Sequence, residues 1–416
     1  MSIRNTYPTI RPSLNLDFAR SRTLDPRITF SRTTTGTYMD SDGLIKVASA
    51  DVARFDHRYV NGQLESLGLL VEEQRSNLLT YSADFNNWSK VRSYISGVNV
   101  ISPDGTESAN KIVEDNSLGT HYVRKFPTVS ADAVCAISVY VKSAERSQFA
   151  IHTYGSNGWD ASLTAIYDLP TENITGTNAE NCTINAVGNG WYRATYIATK
   201  NSTSGTANVD FYTALNGNVS YQGDNSSGIY LWGAQLEEGA FATSYIPRPD
   251  TSTATRNPDS VSMEGDNFSD WYNQSEGSIL WRGTIHSIPI SGSRIFQVYD
   301  SSGTEKMAIS VENNELMYMR VRKTNDTATQ TYNLGTVSLG SEYKIGLGVD
   351  GSSLCLAVND EIKTTISDSF TLSSSDTLIF TDLKDLGGAR KFTTRHTGLS
   401  YYPTRLTNAQ LQTLTK

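Results

Sequence analysis

Two pairs of adjacent carboxylates, Glu72-Glu73 and Glu237-Glu238, are the groups in this chain best suited to acid–base work. A retaining glycosidase needs two carboxyl groups about 5 Å apart across one bond. Neighbours on a strand point to opposite faces, so neither pair can flank a glycosidic bond by itself. Each pair instead reads as one carboxylate buried with an arginine or backbone partner and one solvated, with Arg75 the partner for Glu73. The histidines His57, His121, His152, His286 and His396 stand singly, without i, i+2 or i, i+4 ligand spacing. No nucleophile elbow, Walker phrase or dinucleotide fingerprint occurs in a strand–helix context. Cys135, Cys182 and Cys355 lie far apart with no C-x-x-C, which predicts three reduced thiols inside β cores. The expectation is a chain with no catalytic residues.

Binding chemistry has better candidates. Three Asp-rich turns, Asp40–Gly43, Asp224–Gly228 and Asp300–Gly303, cluster oxygen ligands that could hold a structural calcium, although tight turns need the same residues with no metal. No other cofactor is implied. Sugar-binding sandwiches stack pyranose faces on exposed rings while amides and carboxylates take the hydroxyls. Tyr154 and Trp159, on a Gly/Asn-rich loop beside Asp160, fit that pattern, and Tyr221 heads a second such loop. The competing reading makes Trp159 a plug over one sandwich end. Trp191 and Trp232 lie in strand-like phrases and read as core.

What must position these residues is a β framework. Among 416 residues, 38% are hydrophobic and 19% charged, and Tyr (22) outnumbers Phe (13). Short alternating runs such as 136–141 and 307–311 are punctuated by Gly, Asn, Asp and Ser every eight to twelve residues or so, the signature of antiparallel sandwiches. Asp42-Gly43 favours a tight hairpin within Thr37–Ile45. The one convincing helix is the C-terminal stretch after Thr407, where Gln410 can complete a capping box. The net charge of −8 argues against nucleic acid as the main partner. No apolar run of ~18 residues predicts membrane insertion, and no apolar h-region predicts a signal peptide. The chain divides into a small arm of short strands (1–80), a sandwich (81–247), a connector (248–275) and a second sandwich ending in the helix (276–416). The fold class expected is all-β, two antiparallel β-sandwiches preceded by that arm.

Several phrases resemble tailed-bacteriophage virion proteins. They are Leu14-Asn-Leu-Asp-Phe-Ala-Arg20, Leu24-Asp-Pro-Arg-Ile-Thr-Phe30 and the run Ser66–Leu79, which look like a module of such proteins. Tyr81–Trp88, Pro103–Thr106, Gly188–Arg193 and Leu231–Gly239 resemble the carbohydrate-module-like jelly roll that follows that module. The block ending in Leu399–Leu411 is similar to concanavalin-like or laminin-G-like sandwiches. The resemblance implies a non-enzymatic virion protein, assembled in the host cytoplasm, serving as tail fibre, tail component or capsid decoration. It further implies other virion proteins as partners, a homo-oligomer (a trimer by preference) and adhesion to host-surface glycan. The alternatives are a polysaccharide-degrading tailspike and a free bacterial carbohydrate-binding protein. The arm 1–80 is expected to attach the protein to the particle, and the glycan site to comprise Tyr154, Trp159, Asp160 and Tyr221.

Overall fold

The computed structural model describes residues 7–288, 292–322, 329–370, 374–380 and 392–416, except the Val98 side chain, so the first six residues of the expected arm lie outside the described residues. The chain is all-β and builds two antiparallel sandwiches. In the first, one six-stranded sheet runs in the order Cys182–Gly188, Trp191–Thr199, Val134–Ser143, Gly228–Glu238, Ala109–Glu114 and Ser93–Val100. Its facing sheet runs Asn173–Gly176, Leu163–Asp168, Gln148–Thr153, Val209–Ala214, Tyr122–Lys125 and Ser89–Val91. Alternation sends Ile137, Val139, Phe149, Ile151 and Phe211 into the shared core and their neighbours outward.

The second sandwich corrects the expected boundaries. Its first sheet contains Gly277–Ile285, Glu342–Val349, Ser353–Val358, Glu361–Ser367 and Thr394–Tyr402, but Gln63–Val71 and Arg54–Val60 extend it, and Leu14–Asp17 pairs with its last strand. The second sheet is completed by Thr29–Ser31 and by Ser260–Glu264 from the expected connector. Leu14, Leu16, Phe30, Phe55, Leu69 and Val71 are buried in one core with Trp281, Phe296, Ile345 and Leu399. Residues 1–80 are therefore not a detachable arm, because deleting them would strip strands from both sheets. The first sandwich is an insertion within the second. The physical reason is that a strand's hydrogen-bonding partner leaves no mark on its own composition; Leu14 pairs with Tyr401 across nearly the whole chain.

Local expectations fared better. Gly36–Met39 and Ile45–Ala48 form the hairpin, closed by Gly43 N–H on the Asp40 carbonyl at 3.1 Å with Gly43 at φ +74°. The helix Asn408–Leu414 carries the capping box, Gln410 N–H to Thr407 Oγ1 at 3.3 Å and Thr407 N–H to Gln410 Oε1 at 3.0 Å. Cys135, Cys182 and Cys355 are buried free thiols, and burial pushes the first two up to about 12 and about 11. No described helix is long and apolar enough to cross a membrane.

Where the two sandwiches meet, a buried ion network ties three parts of the chain together. Asp259 accepts from Arg32 Nη1 (3.0 Å) and Arg54 Nη2 (2.6 Å), and its Oδ2 also takes the Glu72 N–H at 2.8 Å. Glu72 accepts from Arg54 Nη1 (2.6 Å), lies 3.2 Å from Arg256 Nη1, and takes the Ser244 N–H and hydroxyl at 2.8 and 2.7 Å. Burial would raise the Glu72 carboxyl, but Arg256 and Arg54 outweigh it and hold it well below the usual carboxylate range. Glu73 pairs with Arg75 at 2.5 Å as expected, yet both members of the Glu72-Glu73 pair are buried, neither solvated. In the other pair Glu237 is buried and Glu238 half-buried.

Two outcomes follow. Asp259→Asn leaves Arg32 buried without a carboxylate and Arg54 with Glu72 alone, and should cost about 3–5 kcal/mol in urea unfolding, the usual penalty for breaking a buried pair from one side. His396, fully buried beneath Trp281, accepts the Trp281 indole N–H on Nδ1 at 2.9 Å and is pushed down to about 3 by burial. The unfolded chain, with His near 6.5, binds this proton first as pH falls, so stability drops between pH 6.5 and about 3. Between pH 6.5 and 5 this group alone should remove about 1.5 kcal/mol, and that part of the slope should vanish in His396→Gln.

Candidate functional site

The loop expected to bind sugar folds inward at its tryptophan. Gly158 adopts φ +105° with its Cα against the Thr206 carbonyl, where a Cβ would come within 2.5 Å. The turn directs Trp159 into the first core, 2% exposed, with Nε1–H donated to the Asn208 carbonyl at 2.6 Å. Trp159 is thus the plug of the sandwich end. Tyr221 is also withdrawn: it lies on the short strand Ser220–Gln222 and its hydroxyl donates to Glu114 at 2.6 Å, beside Thr213 Oγ1 at 2.6 Å. Arg146 closes that group by pairing with Glu114 and lying 5.5 Å from the Tyr221 ring centre. Neither ring is offered to a ligand, because each fills space that the sandwich must close. Asp160 stays exposed, and Tyr154 is half-buried. Tyr154 contacts Tyr212 and Tyr221 contacts Thr213, adjacent residues pointing to opposite faces, so the four predicted residues do not form one site.

Tyr154 belongs instead to an aromatic and charged patch on the outer face of the sheet. Two rows of side chains cross the strands there. Arg124, Asp210, His152 and Thr164 stand opposite one another in register, as do Tyr122, Tyr212, Ala150 and Ile166. Arg124 donates to both Asp210 oxygens, at 2.7 and 2.5 Å, and its guanidinium lies 4.8 Å from the Tyr122 ring centre and 5.3 Å from that of Tyr154. Tyr122 stacks on Tyr212 at 4.4 Å, and His152 meets Tyr154 edge-on at 4.1 Å. Burial, then the Arg124 charge, pushes His152 down to about 4, so it is neutral at physiological pH. Tyr122 and Tyr212 are themselves buried, so the part of this platform that meets solvent is the Tyr154 ring with the Arg124 cation, held by Asp210, beside it. The alternation Tyr122-x-Arg124 and Asp210-x-Tyr212 was the sequence signal for it.

The joint between the sandwiches holds further concave space. A cavity of about 290 Å³ lies between the outer face of the second sandwich (Asp56, Arg58, His286, Arg395) and that of the first (Tyr140, Arg193). An adjoining space of about 530 Å³ shares Phe241 and His286 with it. Trp191 and Trp232 are buried as expected, but with Met39, Ile45, Tyr140 and Tyr245 against this joint and not in the first sandwich's own core. The Asp-rich turns spend their carboxylates locally. Asp224 accepts from the backbone and hydroxyl groups of Ser226 and Ser227, and Asp300 from Ser302 and Thr304, which hold both carboxyls below the usual range. Among the described residues no group of three or more His, Cys, Asp or Glu side chains is placed to share a metal ion.

No family model and no curated protein matches the chain. Among solved structures, the sialidase CBM40 of Ruminococcus gnavus bound to α2,3 sialyllactose is 16% identical over 34% of this chain and 83% of its own, with a TM-score of 0.30. A heptameric SAP-like pentraxin from Limulus polyphemus is 14% identical over 34% of this chain and 70% of its own, TM-score 0.28. The receptor-binding domain of a botulinum neurotoxin C/D mosaic is 12% identical over 38% of this chain and 39% of its own, TM-score 0.30. Overlaps of this size say nothing about ligand or activity.

The burial of Trp159 has a direct consequence. Trp159→Ala should lower unfolding free energy by about 3–5 kcal/mol, the range for emptying a packed aromatic site. Thermal and urea unfolding of the variant would check it.

Proposed function

We propose that this chain is a non-enzymatic bacteriophage virion protein, a tail-fibre, tail or capsid-surface component, that contacts host-surface glycan through the Tyr154 platform. The virion assignment is supported by the phrases Leu14–Arg20, Ser66–Leu79 and Leu231–Gly239. The observation that carries the adhesive reading is the half-exposed Tyr154 ring, fixed edge-on by His152 and flanked by Arg124. Such a face can take a pyranose C–H surface while the guanidinium binds its hydroxyls. In keeping with a binding role, Glu72, Glu73 and Glu114 are all engaged by arginines. A single open site of this size binds weakly, so adhesion would draw on many copies per particle and on assembly as a homotrimer with other virion proteins.

Mass spectrometry of purified particles should find the chain, and light scattering should give a mass near three chains. Tyr154→Ala should reduce binding to host envelope polysaccharide at least tenfold while cooperative unfolding is retained. Absence from particles, or unchanged binding by the variant, overturns the corresponding half of the reading. Release of reducing sugar from that polysaccharide overturns the non-enzymatic assignment.

A further inference from the structure

We infer that the cavity between the two sandwiches is a second, separate binding site, for a small carboxylate-bearing sugar unit held by Arg58 and Arg193. The charge accounting points to an anion. Of the acids on its wall, Asp56 is taken by Arg395, with Nε at 2.8 Å and Nη2 at 2.7 Å, and by the Met39 N–H at 2.9 Å. Glu72 is taken by Arg54 and Arg256. His286 lies 2.6 Å from Arg395 Nη1 through Nε2, and burial together with the Arg395 and Arg58 charges pushes it well below its ordinary value, so it is a neutral acceptor. Arg58 and Arg193 line the same cavity and have no carboxylate partner among the described residues. Arg193, half-buried in the wall, and Arg58, exposed at the rim, thus leave two guanidiniums without a carboxylate on one concave space, which favours an anionic guest.

The other groups argue that the guest is more than a bare anion. Arg193 lies 5.4 Å from the Tyr140 ring centre and donates Nη2–H to Ser138 Oγ at 3.0 Å, which fixes the plane of its fork. Its Nε has no hydrogen-bond partner. The Tyr140 hydroxyl likewise has none among the described residues, although the residue is 3% exposed. His57, 6% exposed, donates Nδ1–H to the Met39 carbonyl at 3.1 Å, and its Nε2 has no hydrogen-bond partner. Tyr59, half-buried on the same wall, supplies ring surface for the C–H face of a sugar. At about 290 Å³ the space sits at the lower end for ligand pockets and suits one sugar unit, not an oligosaccharide.

Titration calorimetry of the full chain with glucuronate and galacturonate, against glucose, galactose and acetate, tests this. The uronates should bind with Kd below about 1 mM, and the neutral sugars and acetate at least tenfold more weakly. Arg193→Gln and Arg58→Gln should each weaken uronate binding tenfold or more, and Tyr140→Phe, which keeps the ring, threefold or more. Tyr154→Ala should leave it unchanged, which separates this site from the platform. No uronate binding, equal binding of uronate and hexose, acetate as tight as uronate, or indifference to both arginine substitutions would each overturn the inference. Arg58 is exposed, so its variant carries the test should Arg193→Gln fail to fold.

Discussion

The Arg32–Asp259–Arg54–Glu72–Arg256 network is the constraint on which the arrangement of the two sandwiches depends. Its members come from the N-terminal strands, from the strand Gln63–Val71 with its continuation, and from the strap that returns from the first sandwich. Burying ions is costly, and a hydrophobic joint of similar volume would often be as stable. What ions contribute here is direction. Each guanidinium fork and carboxylate accepts only a narrow range of partner positions, so the strap can pass in one register alone. Gly239 shows how tight that passage is, since a Cβ there would fall 1.7 Å from Arg75 Nη1.

Concave space at the joint is a consequence of the same arrangement. Two sheet faces that must each carry polar groups to the network cannot interdigitate as a core does, and the gap is filled only in part by the hairpin Gly36–Ala48 and by Tyr140, Trp191 and Trp232. The cavity walls therefore inherit charge from the network's surroundings. By contrast, the Tyr154 platform owes nothing to the joint. It is made by cross-strand pairs within one sheet, where register alone sets which side chains touch.

Much of the local structure was legible in the sequence, and the reasons are local. Asp42-Gly43 contains its own turn, Thr407 and Gln410 their own cap, and Glu73 and Arg75 stand two residues apart, so each prediction needed only residues close in sequence. The all-β class followed from strand periodicity repeated over the whole chain. The failures share the opposite cause. Nothing in Leu14-Asn-Leu-Asp17 reveals that its partner is Gly398–Tyr401, and nothing in the polar strap reveals that Arg256 and Asp259 are buried. For Trp159 the sequence left two readings open, sugar-binding ring or plug, because one glycine turn decides whether a loop ring faces water or core. Tyr221 was misjudged because its hydroxyl finds Glu114, a residue more than a hundred positions away. The cavity residues come from separate segments, and no spacing rule gathers them.

The insertion of one sandwich into another also fixes an order of events during synthesis. Val71 reaches its neighbour in the sheet only when Thr394 has been made, and Leu14 must wait for Tyr401. At about 5–20 residues per second, the interval is on the order of tens of seconds. The inserted sandwich, whose strands all lie between Ser89 and Glu238, can close while the ribosome is still working on the rest. Throughout that time the apolar run Leu67–Val71 has only its hairpin partner Arg54–Val60, and its other edge stands open, the kind of unpaired edge that seeks any other strand nearby. When many copies are translated side by side, their earliest strands are available to each other before they are available to their own chain's end. Vectorial synthesis thus places the greatest risk of mispairing on the segment that later holds the molecule together.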